Sequence, residues 1–280
     1  MAISQELKAL VDQLPDPDSR GMLCTDVDKE KIERTIAGIH SGGRENVLGL
    51  IEMLAPPGEK DDAKAHYALH CLANHVLKIK EESARRQFSE ALASQLGGAR
   101  PKPVQAYLCQ ELQWAGRGEA AAALGKLLCD DELCEPAAMA LAAIGDGAAE
   151  QFRAALPKAR GKCRLNVVQG LGTVGDAPSA DGLKQALDDP EREVRLAAGW
   201  GLARLGDAGS VDILLKAAGA TAGWERIQTT KHCLVLAEKL LAAGNKDQAR
   251  KIYAHLQQTR TDRSERYVRD AAKKALAGIP

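Results

Sequence analysis

The sequence is poor in aromatic side chains: only 3% of its 280 residues are Phe, Trp or Tyr, although 45% are hydrophobic. β-Sandwiches and β-barrels build their cores largely from aromatic and β-branched residues, so this composition argues against both. The chain also lacks net charge, with 38 basic and 38 acidic side chains. Without an excess of basic charge there is no general electrostatic reason to expect a nucleic acid or an acidic membrane as a partner.

Long apolar runs are absent too. No stretch of about eighteen apolar residues occurs, and the segment 1–14 carries charged side chains in place of an apolar signal core. The sequence therefore predicts a cytoplasmic protein without a membrane span, or an exported protein if a signal peptide has been removed.

Cysteines in metal-binding or redox spacing are missing as well. The seven cysteines are odd in number, scattered and without a CxxC motif, which argues against a disulfide scaffold or a zinc ribbon. Cys129 and Cys134 are five residues apart, a poor spacing for a redox pair. We expect reduced thiols in the core at Cys24, Cys71, Cys109, Cys129, Cys134, Cys163 and Cys233.

What the sequence does contain is an internal repeat. Glycines recur at spacings of 29, 30 and 31 residues, and a leucine stands four residues before each of them. Further apolar residues stand eight residues before and one residue before, so the offsets trace a single helical stripe. The glycines are Gly116, Gly145, Gly175 and Gly206, and the leucines are Leu112, Leu141, Leu171 and Leu202.

Each repeat continues into a second amphipathic segment, which predicts a helix hairpin. The glycine suits the left-handed position that ends a helix, and the aspartate that follows three of the glycines suits the cap of the next helix. These aspartates are Asp146, Asp176 and Asp207. Weaker copies of the pattern predict helices at 28–40, 43–54, 82–96 and 268–279.

The copies also suggest a domain organisation. Residues 1–27 are predicted to form a leading helix and a linker, and residues 28–280 a single repeat domain. Within that domain we expect divergent repeats at 28–100, regular repeats at 101–221, and a longer helix pair with a C-terminal cap at 222–280.

The segment from Asp188 to Asp207, DDPEREVRLAAGWGLARLGD, resembles a HEAT repeat of the short bacterial kind known from phycobilisome lyases. The copies ending at Gly145 and Gly175 share its pattern, and residues 240–253 are similar to half of a tetratricopeptide repeat. The resemblance implies an all-α fold, a right-handed α-α superhelix of about seven to eight helix pairs, with first helices on the convex face. It also implies a structural ladder of arginines near the starts of first helices, at Arg164, Arg195 and Arg269.

One histidine pair is the weak candidate for a metal site. His66 and His70 are four residues apart, so they share one face of a predicted helix and could chelate a transition metal. No carboxylate completes the set on that face, and residue 67 is Tyr where an HExxH motif has Glu. We therefore expect a surface pair of histidines, with no metal and no cofactor.

The resemblance raises enzyme classes that the residues support poorly. HEAT-like DNA glycosylases place Trp, Asp and Arg in a groove, but the three tryptophans, Trp114, Trp200 and Trp224, fall outside any shared second-helix face. Hydroxylases of the HEAT type bind iron through His-Glu dipeptides, and the chain has none. Bilin lyases resemble this repeat type best, although no residue marks a chromophore pocket. The glycines of Gly170–Gly175 match a phosphate-binding fingerprint by letters only, because they lie at a repeat helix end.

An apolar patch is the candidate partner-binding site. Similar repeats carry polar residues ten and six positions before the glycine, whereas this chain has apolar ones there. These candidate residues are Met139, Leu165, Leu196 and Trp200. Adjacent repeats would set them side by side, and such a patch is typical of a partner-binding surface; the alternative is that the curl of the repeats or a terminal segment covers it.

Taken together, the residues favour a non-catalytic scaffold that binds a protein partner. The alternative is a lyase-like or chaperone-like enzyme acting on a chromophore or a modified protein, and a HEAT-like DNA-binding glycosylase is disfavoured. Residues 245–280 carry nine basic and four acidic side chains, so that end is +5 and the remainder −5. This asymmetry could steer an acidic partner or orient self-association, or it could be a solvated cap that ends the repeats.

Overall fold

The computed structural model describes residues 3–17, 27–219 and 223–279. Cys24 and most of the predicted linker lie outside these residues. The chain divides into two compact units, residues 1–151 and 152–280. Within the described residues the elements are sixteen α-helices and three short 3-10 turns, which confirms the predicted all-α fold.

The first unit begins with a single helix, α1, followed by helix pairs. Its helices are α1 (Gln5–Asp12), α2 (Lys29–Ser41), α3 (Gly43–Met53), α4 (Ala63–Lys78), α5 (Glu82–Ala93), α6 (Lys102–Ala115), α7 (Gly118–Gly125) and α8 (Cys134–Ile144). The boundary between the units falls inside α9 (Ala148–Ala155). Leu7 and Val11 of α1 are buried, and α1 packs on α2, α3 and α4. The leading helix is therefore part of the first unit's core.

The second unit continues the alternation of first and second helices. Its helices are α10 (Gly161–Val174), α11 (Ala180–Ala186), α12 (Arg192–Leu205), α13 (Val211–Ala217), α14 (Trp224–Ala242), α15 (Lys246–Thr259) and α16 (Arg266–Gly278). The pairs from α2/α3 to α14/α15 number seven, as the repeat count predicts. The pair α14/α15 is the longest in the described part of the chain.

The glycines at the ends of the first helices do not all act alike. Gly175 and Gly206 both have a φ of +70° in the left-handed region, as the repeat pattern predicts. Gly116 instead is extended, with φ −72° and ψ 155°. There a Cβ would lie 2.5 Å from the Leu112 carbonyl oxygen, so glycine is needed for space rather than for its φ.

The aspartates after the glycines also act differently from the expectation. Asp176 and Asp207 do not cap an α-helix through their own side chains; each precedes a 3-10 turn. Their carboxylates accept hydrogen bonds from the hydroxyls of Ser179 and Ser210 at the ends of those turns. In both copies a 3-10 turn separates the aspartate from the start of the second α-helix, so the aspartate is too early in the chain to cap that helix.

The arginine ladder is structural. Arg195 donates to the backbone oxygens of Asp189 and Pro190, at 2.9 and 3.0 Å, and Arg269 donates to the Arg260 oxygen at 2.8 Å. Gln105 holds the same position in α6, where it donates to the Arg100 oxygen at 2.7 Å. Each side chain satisfies carbonyls of the loop that enters its helix, which is a stabilising role for otherwise orphaned acceptors.

Small residues bring α10 and α12 into close contact. A Cβ on Gly172 would lie 2.9 Å from the Cα of Gly201, and one on Gly170 would lie 2.3 Å from the ring of Phe152. Both distances are below any normal carbon–carbon contact, so only glycine fits. The glycines of the GLGTVG segment are therefore explained by helix packing, as the repeat register predicts.

Four of the cysteines are buried as expected, and one is not. Cys109, Cys134, Cys163 and Cys233 lie in the core, and no disulfide occurs among the described residues. Cys129 is exposed, so the prediction of a buried thiol there is wrong. It follows Leu127 and Leu128, which are buried in the turn after α7, while Cys129 faces solvent.

Candidate functional site

In each unit the candidate site lies on the solvent side of the first helices of the pairs, which we call the first-helix face of that unit. In the first unit α4, α6 and α8 enclose a cleft of about 820 Å³, which we call the acidic cleft. It is lined by His66, Tyr67, His70, Ala106, Tyr107, Gln110, Glu111, Gln113, Trp114, Glu132, Glu135, Pro136 and Met139. Trp114 and Met139 are 62% and 53% exposed, so apolar surface is open to solvent there.

Both histidines of the predicted pair line this cleft, each with its own carboxylate. His66 Nε2 lies 3.3 Å from Asp62 Oδ2, and its ring meets the Tyr107 ring edge-on at 4.1 Å between centroids. His70 Nδ1 lies 3.2 Å from Glu111 Oε1. Within the described residues no cluster of three or more His, Cys, Asp or Glu side chains is arranged to hold a metal ion.

Glu111 is a candidate site residue that the sequence reasoning missed. Its side chain is 3% exposed, and burial raises its pKa, while His70 beside it acts in the opposite direction. The repeat register carried a signal for it. Five residues before the glycine the other regular copies have the small residues Ala140, Gly170 and Gly201, so a glutamate in that buried position is exceptional.

The hydrogen bonds of His70 use both ring nitrogens. With the proton on Nδ1 the imidazole donates to Glu111, and Nε2 accepts from the Asn74 amide at 3.2 Å. This tautomer satisfies both bonds at once. Both ring nitrogens of His70 are consequently occupied, and the ring is held in place.

The second unit carries its own cleft on the first-helix face, of about 420 Å³, which we call the tryptophan cleft. It is lined by Gln169, Thr173, Glu193, Leu196, Ala197, Trp200, Trp224, Gln228 and His232 from α10, α12 and α14. Trp224 is 56% exposed. The Trp200 ring lies over Gly172 and under the Arg204 guanidinium, whose carbon is 4.8 Å from the ring centroid.

The four residues of the predicted apolar patch are divided among different surroundings. Met139 lines the acidic cleft of the first unit. Leu196 and Trp200 line the tryptophan cleft of the second unit, although Leu196 itself is largely buried. Leu165 is half-buried on α10 and does not line either cleft. The three tryptophans all lie on first helices, outside the second-helix face, as expected.

His232 is buried in the tryptophan cleft against the backbone of α12. A Cβ on Gly199 would lie 2.8 Å from its Nδ1, so the missing side chain of that glycine makes room for the ring. The side chain is 7% exposed, and Nδ1 has no hydrogen-bond partner among the described groups. Burial, helped by the charge of Lys231, lowers the pKa of His232 to about 4, so the ring is neutral in the folded protein.

We expect His232 to make the protein sensitive to mild acid. Its pKa is about 4 when folded and about 6.5 when unfolded, so the unfolded chain binds the proton more tightly. The free energy of unfolding should therefore fall by up to about 3 kcal/mol as the pH drops from about 6.5 to about 4. Urea unfolding of the wild type and His232→Leu across this pH range measures the change. The free energy of unfolding of the variant should depend less on pH than that of the wild type. An equal pH dependence of the two proteins would contradict the role of His232.

The positive charge of the C-terminal region is only partly at the surface. Arg260 is fully buried, with Nη2 donating to the Ala218 oxygen at 2.7 Å and to the Thr230 hydroxyl at 3.0 Å. Arg226 forms an ion pair with Glu265 at 2.6 Å, and Lys251 forms one with Asp212. Of the positive charge counted for a solvated cap, Arg260 is therefore buried in the packing of the last helices.

No helix in the described part of the chain combines the length and the apolar character that crossing a bilayer requires. No curated protein sequence matches the chain. Among solved structures the chain aligns with the karyopherin Kap121p bound to the extreme C-terminus of the protein phosphatase Cdc14p, at 14% identity and a TM-score of 0.50. That alignment covers 99% of this chain and 37% of the karyopherin, so the chain spans little more than a third of that protein.

Two further structures are similar at lower scores. An engineered protein aligns at 21% identity with a TM-score of 0.49, over 98% of this chain and 78% of its own. The complex of CpcE and CpcF of phycocyanin lyase from Nostoc sp. PCC7120 aligns at 17% identity with a TM-score of 0.43, over 82% and 94%. Residues 149–234 match the family model for HEAT repeats. That stretch is therefore similar to HEAT repeats, and the chain has an α-helical repeat fold.

Proposed function

We propose that this protein is a non-catalytic scaffold that binds a protein partner through its first-helix face. The observation that carries the proposal is that each unit has a cleft between three successive first helices with an exposed tryptophan, Trp114 or Trp224, in its lining. Tryptophan in an open cleft is typical of the anchors that dominate protein interfaces. Met139, Leu196 and Trp200 would add apolar contact within the same two clefts.

The second candidate is an acid–base enzyme built on His70 and Glu111. A buried carboxylate with a raised pKa beside a histidine in a cleft is the kind of pair that catalytic sites use. The Asn74 amide weighs against it, because it occupies the ring nitrogen that a substrate would need. No separate nucleophile or phosphate-binding loop accompanies the pair in the cleft lining. A binding role requires no further catalytic group in this cleft, whereas an acid–base enzyme would require one.

Exchanging the exposed tryptophan of one cleft tests the scaffold proposal. We expect Trp114→Ser to fold normally, because the side chain is mostly in solvent, and to retain at most about a tenth of the partner captured by the wild type. The measurement is affinity capture from the source organism with quantitative mass spectrometry. Sedimentation velocity of the wild type and Trp224→Ser, in parallel, measures whether the second cleft mediates self-association.

Tyr267→Ser provides the matched control, because Tyr267 on α16 is as exposed as Trp114 and lines neither cleft. The control should capture the same proteins as the wild type. Identical capture by the wild type, Trp114→Ser and Trp224→Ser would count against binding through the first-helix face.

A further inference from the structure

In the acidic cleft, the charged side chains that lack a partner of opposite charge are all acidic. Its lining holds the carboxylates of Glu111, Glu132 and Glu135 and contains no lysine or arginine. Glu132 and Glu135 are exposed, and neither carboxylate has a cationic partner among the described residues. Two unpaired carboxylates beside a buried third one create a negative potential in the cleft, which favours a cation.

Aromatic side chains form the other part of the lining. The Trp114 indole is mostly exposed and stands edge-on to His70, at 6.3 Å between ring centroids. The Tyr107 hydroxyl donates to the His66 backbone oxygen at 2.7 Å, which fixes the phenol ring inside the cleft. The face of an indole attracts cations and stacks well on a planar guanidinium. Met139 adds an exposed apolar side chain that could contact the methylene groups of a long basic residue.

From these contacts we propose that the acidic cleft binds an arginine side chain of a partner polypeptide. The guanidinium stacks on Trp114, and its N–H groups donate to Glu132 and Glu135. Arginine fits better than lysine because a planar group can stack and form forked hydrogen bonds together, whereas an ammonium cannot stack. This proposal rests on the proposed function, since it specifies the chemistry that one of the two clefts recognises.

Short peptides test the proposal without a known partner. The probes are Ac-Gly-Leu-X-Leu-Gly-NH₂ peptides in which X is arginine, lysine or citrulline, the last being the uncharged analogue of arginine. Titration followed by ¹H–¹⁵N NMR should shift the Trp114 indole N–H signal, and the Trp224 signal should stay in place. We expect the arginine peptide to bind at least tenfold more tightly than the citrulline peptide, with lysine between them, and to weaken as salt is raised.

Charge variants connect the binding to the cleft. The double variant Glu132→Gln/Glu135→Gln should bind the arginine peptide at least tenfold more weakly than the wild type. The double variant Glu45→Gln/Glu90→Gln is the control, because it removes the same charge from exposed positions of α3 and α5 that do not line the cleft. It should bind as the wild type does.

Three results would overturn the arginine proposal: equal binding of the arginine and citrulline peptides, equal losses in the two double variants, or a shift of the Trp224 signal alone. The proposed function fails separately. If Trp114→Ser loses its protein partner while no peptide discriminates by charge, the scaffold role stands and the arginine specificity falls. If the arginine peptide binds as expected while Trp114→Ser and Trp224→Ser both keep every partner, the arginine site stands and the scaffold role falls.

Discussion

Gly172→Val is expected to destabilise the protein by at least about 2–3 kcal/mol, because overpacking a tight helix contact strains both helices. A Cβ at this position would lie 2.8 Å from the Trp200 ring and 2.9 Å from the Cα of Gly201. The ring can turn away, but the Cα belongs to the backbone of α12. The helices α10 and α12 would have to separate, and the apolar contacts between them would weaken. Thermal and urea unfolding of the purified variant measure the loss.

Two further variants isolate the backbone contact. Gly278→Val changes a glycine in α16 where a Cβ meets nothing within 4 Å, so it should alter stability by less than about 0.5 kcal/mol. Adding Trp200→Ala to Gly172→Val removes the ring but leaves the contact with Gly201, so the double variant should not regain wild-type stability. If Gly172→Val is as stable as Gly278→Val, α10 and α12 can move apart without loss of stability, and the prediction is wrong.

The second large effect is expected at Arg85, the buried arginine of the first unit. Its side chain is 4% exposed and forms a forked pair with Glu82, at 2.6 and 2.9 Å. It also donates to Glu119 and to the Ala115 oxygen, both at 2.7 Å. Arg85→Met leaves Glu119 half-buried without its cation, and breaking a buried pair from one side typically costs about 3–5 kcal/mol. Denaturant unfolding at pH 7 measures the difference.

The pH dependence of this loss distinguishes a charge effect from a packing effect. Burial by itself raises the pKa of Glu119, but hydrogen bonding to Arg85 and the charge of Arg85 outweigh it and lower the pKa to about 2. A carboxyl with a pKa that is lower in the folded state stabilises above its unfolded value of about 4.5 and loses that contribution as the pH falls toward about 2. The gap between the wild type and Arg85→Met should therefore be widest at pH 7 and should narrow below about 4.5.

Arg86→Met is the control for Arg85→Met, because Arg86 is the next residue of α5 and faces solvent. It removes the same charge and should change stability by less than about 0.5 kcal/mol at any pH. If both methionine variants lose the same stability, or if the Arg85→Met gap is independent of pH, the ion pair with Glu119 is not the source of the effect.

How far the sequence could predict the fold depends on how regular the repeat is. In the second unit the glycine and leucine offsets placed α10 and α12 correctly, and the left-handed φ of Gly175 and Gly206 followed from them. At Gly116 the same offset predicted the same conformation, and the structure has an extended one. A periodic pattern predicts which residues face the core. It does not predict the backbone conformation of the residue that ends the helix, because that conformation depends on the residues that the following segment contacts.

The candidate sites were less accessible to sequence reasoning. The predicted patch rested on four residues at equivalent repeat positions, and the structure divides three of them between the acidic and tryptophan clefts. Its fourth residue, Leu165, lines neither. Glu111 was overlooked because no sequence motif links it to His70, 41 residues earlier. Only the packing of α4 against α6 brings the two side chains together.

The sequence by itself determined that this is an all-α repeat protein, because the helical periodicity of apolar residues depends on local spacing alone. It also placed the three tryptophans outside the second-helix face, and all three lie on first helices. Only the tertiary structure decided which charges are buried, such as Arg85 and Arg260, and which acidic side chains gather in one cleft. The physical reason is that burial and electrostatic potential depend on residues far apart in the chain. The spacing of repeats along the sequence does not give the distances between such residues in space.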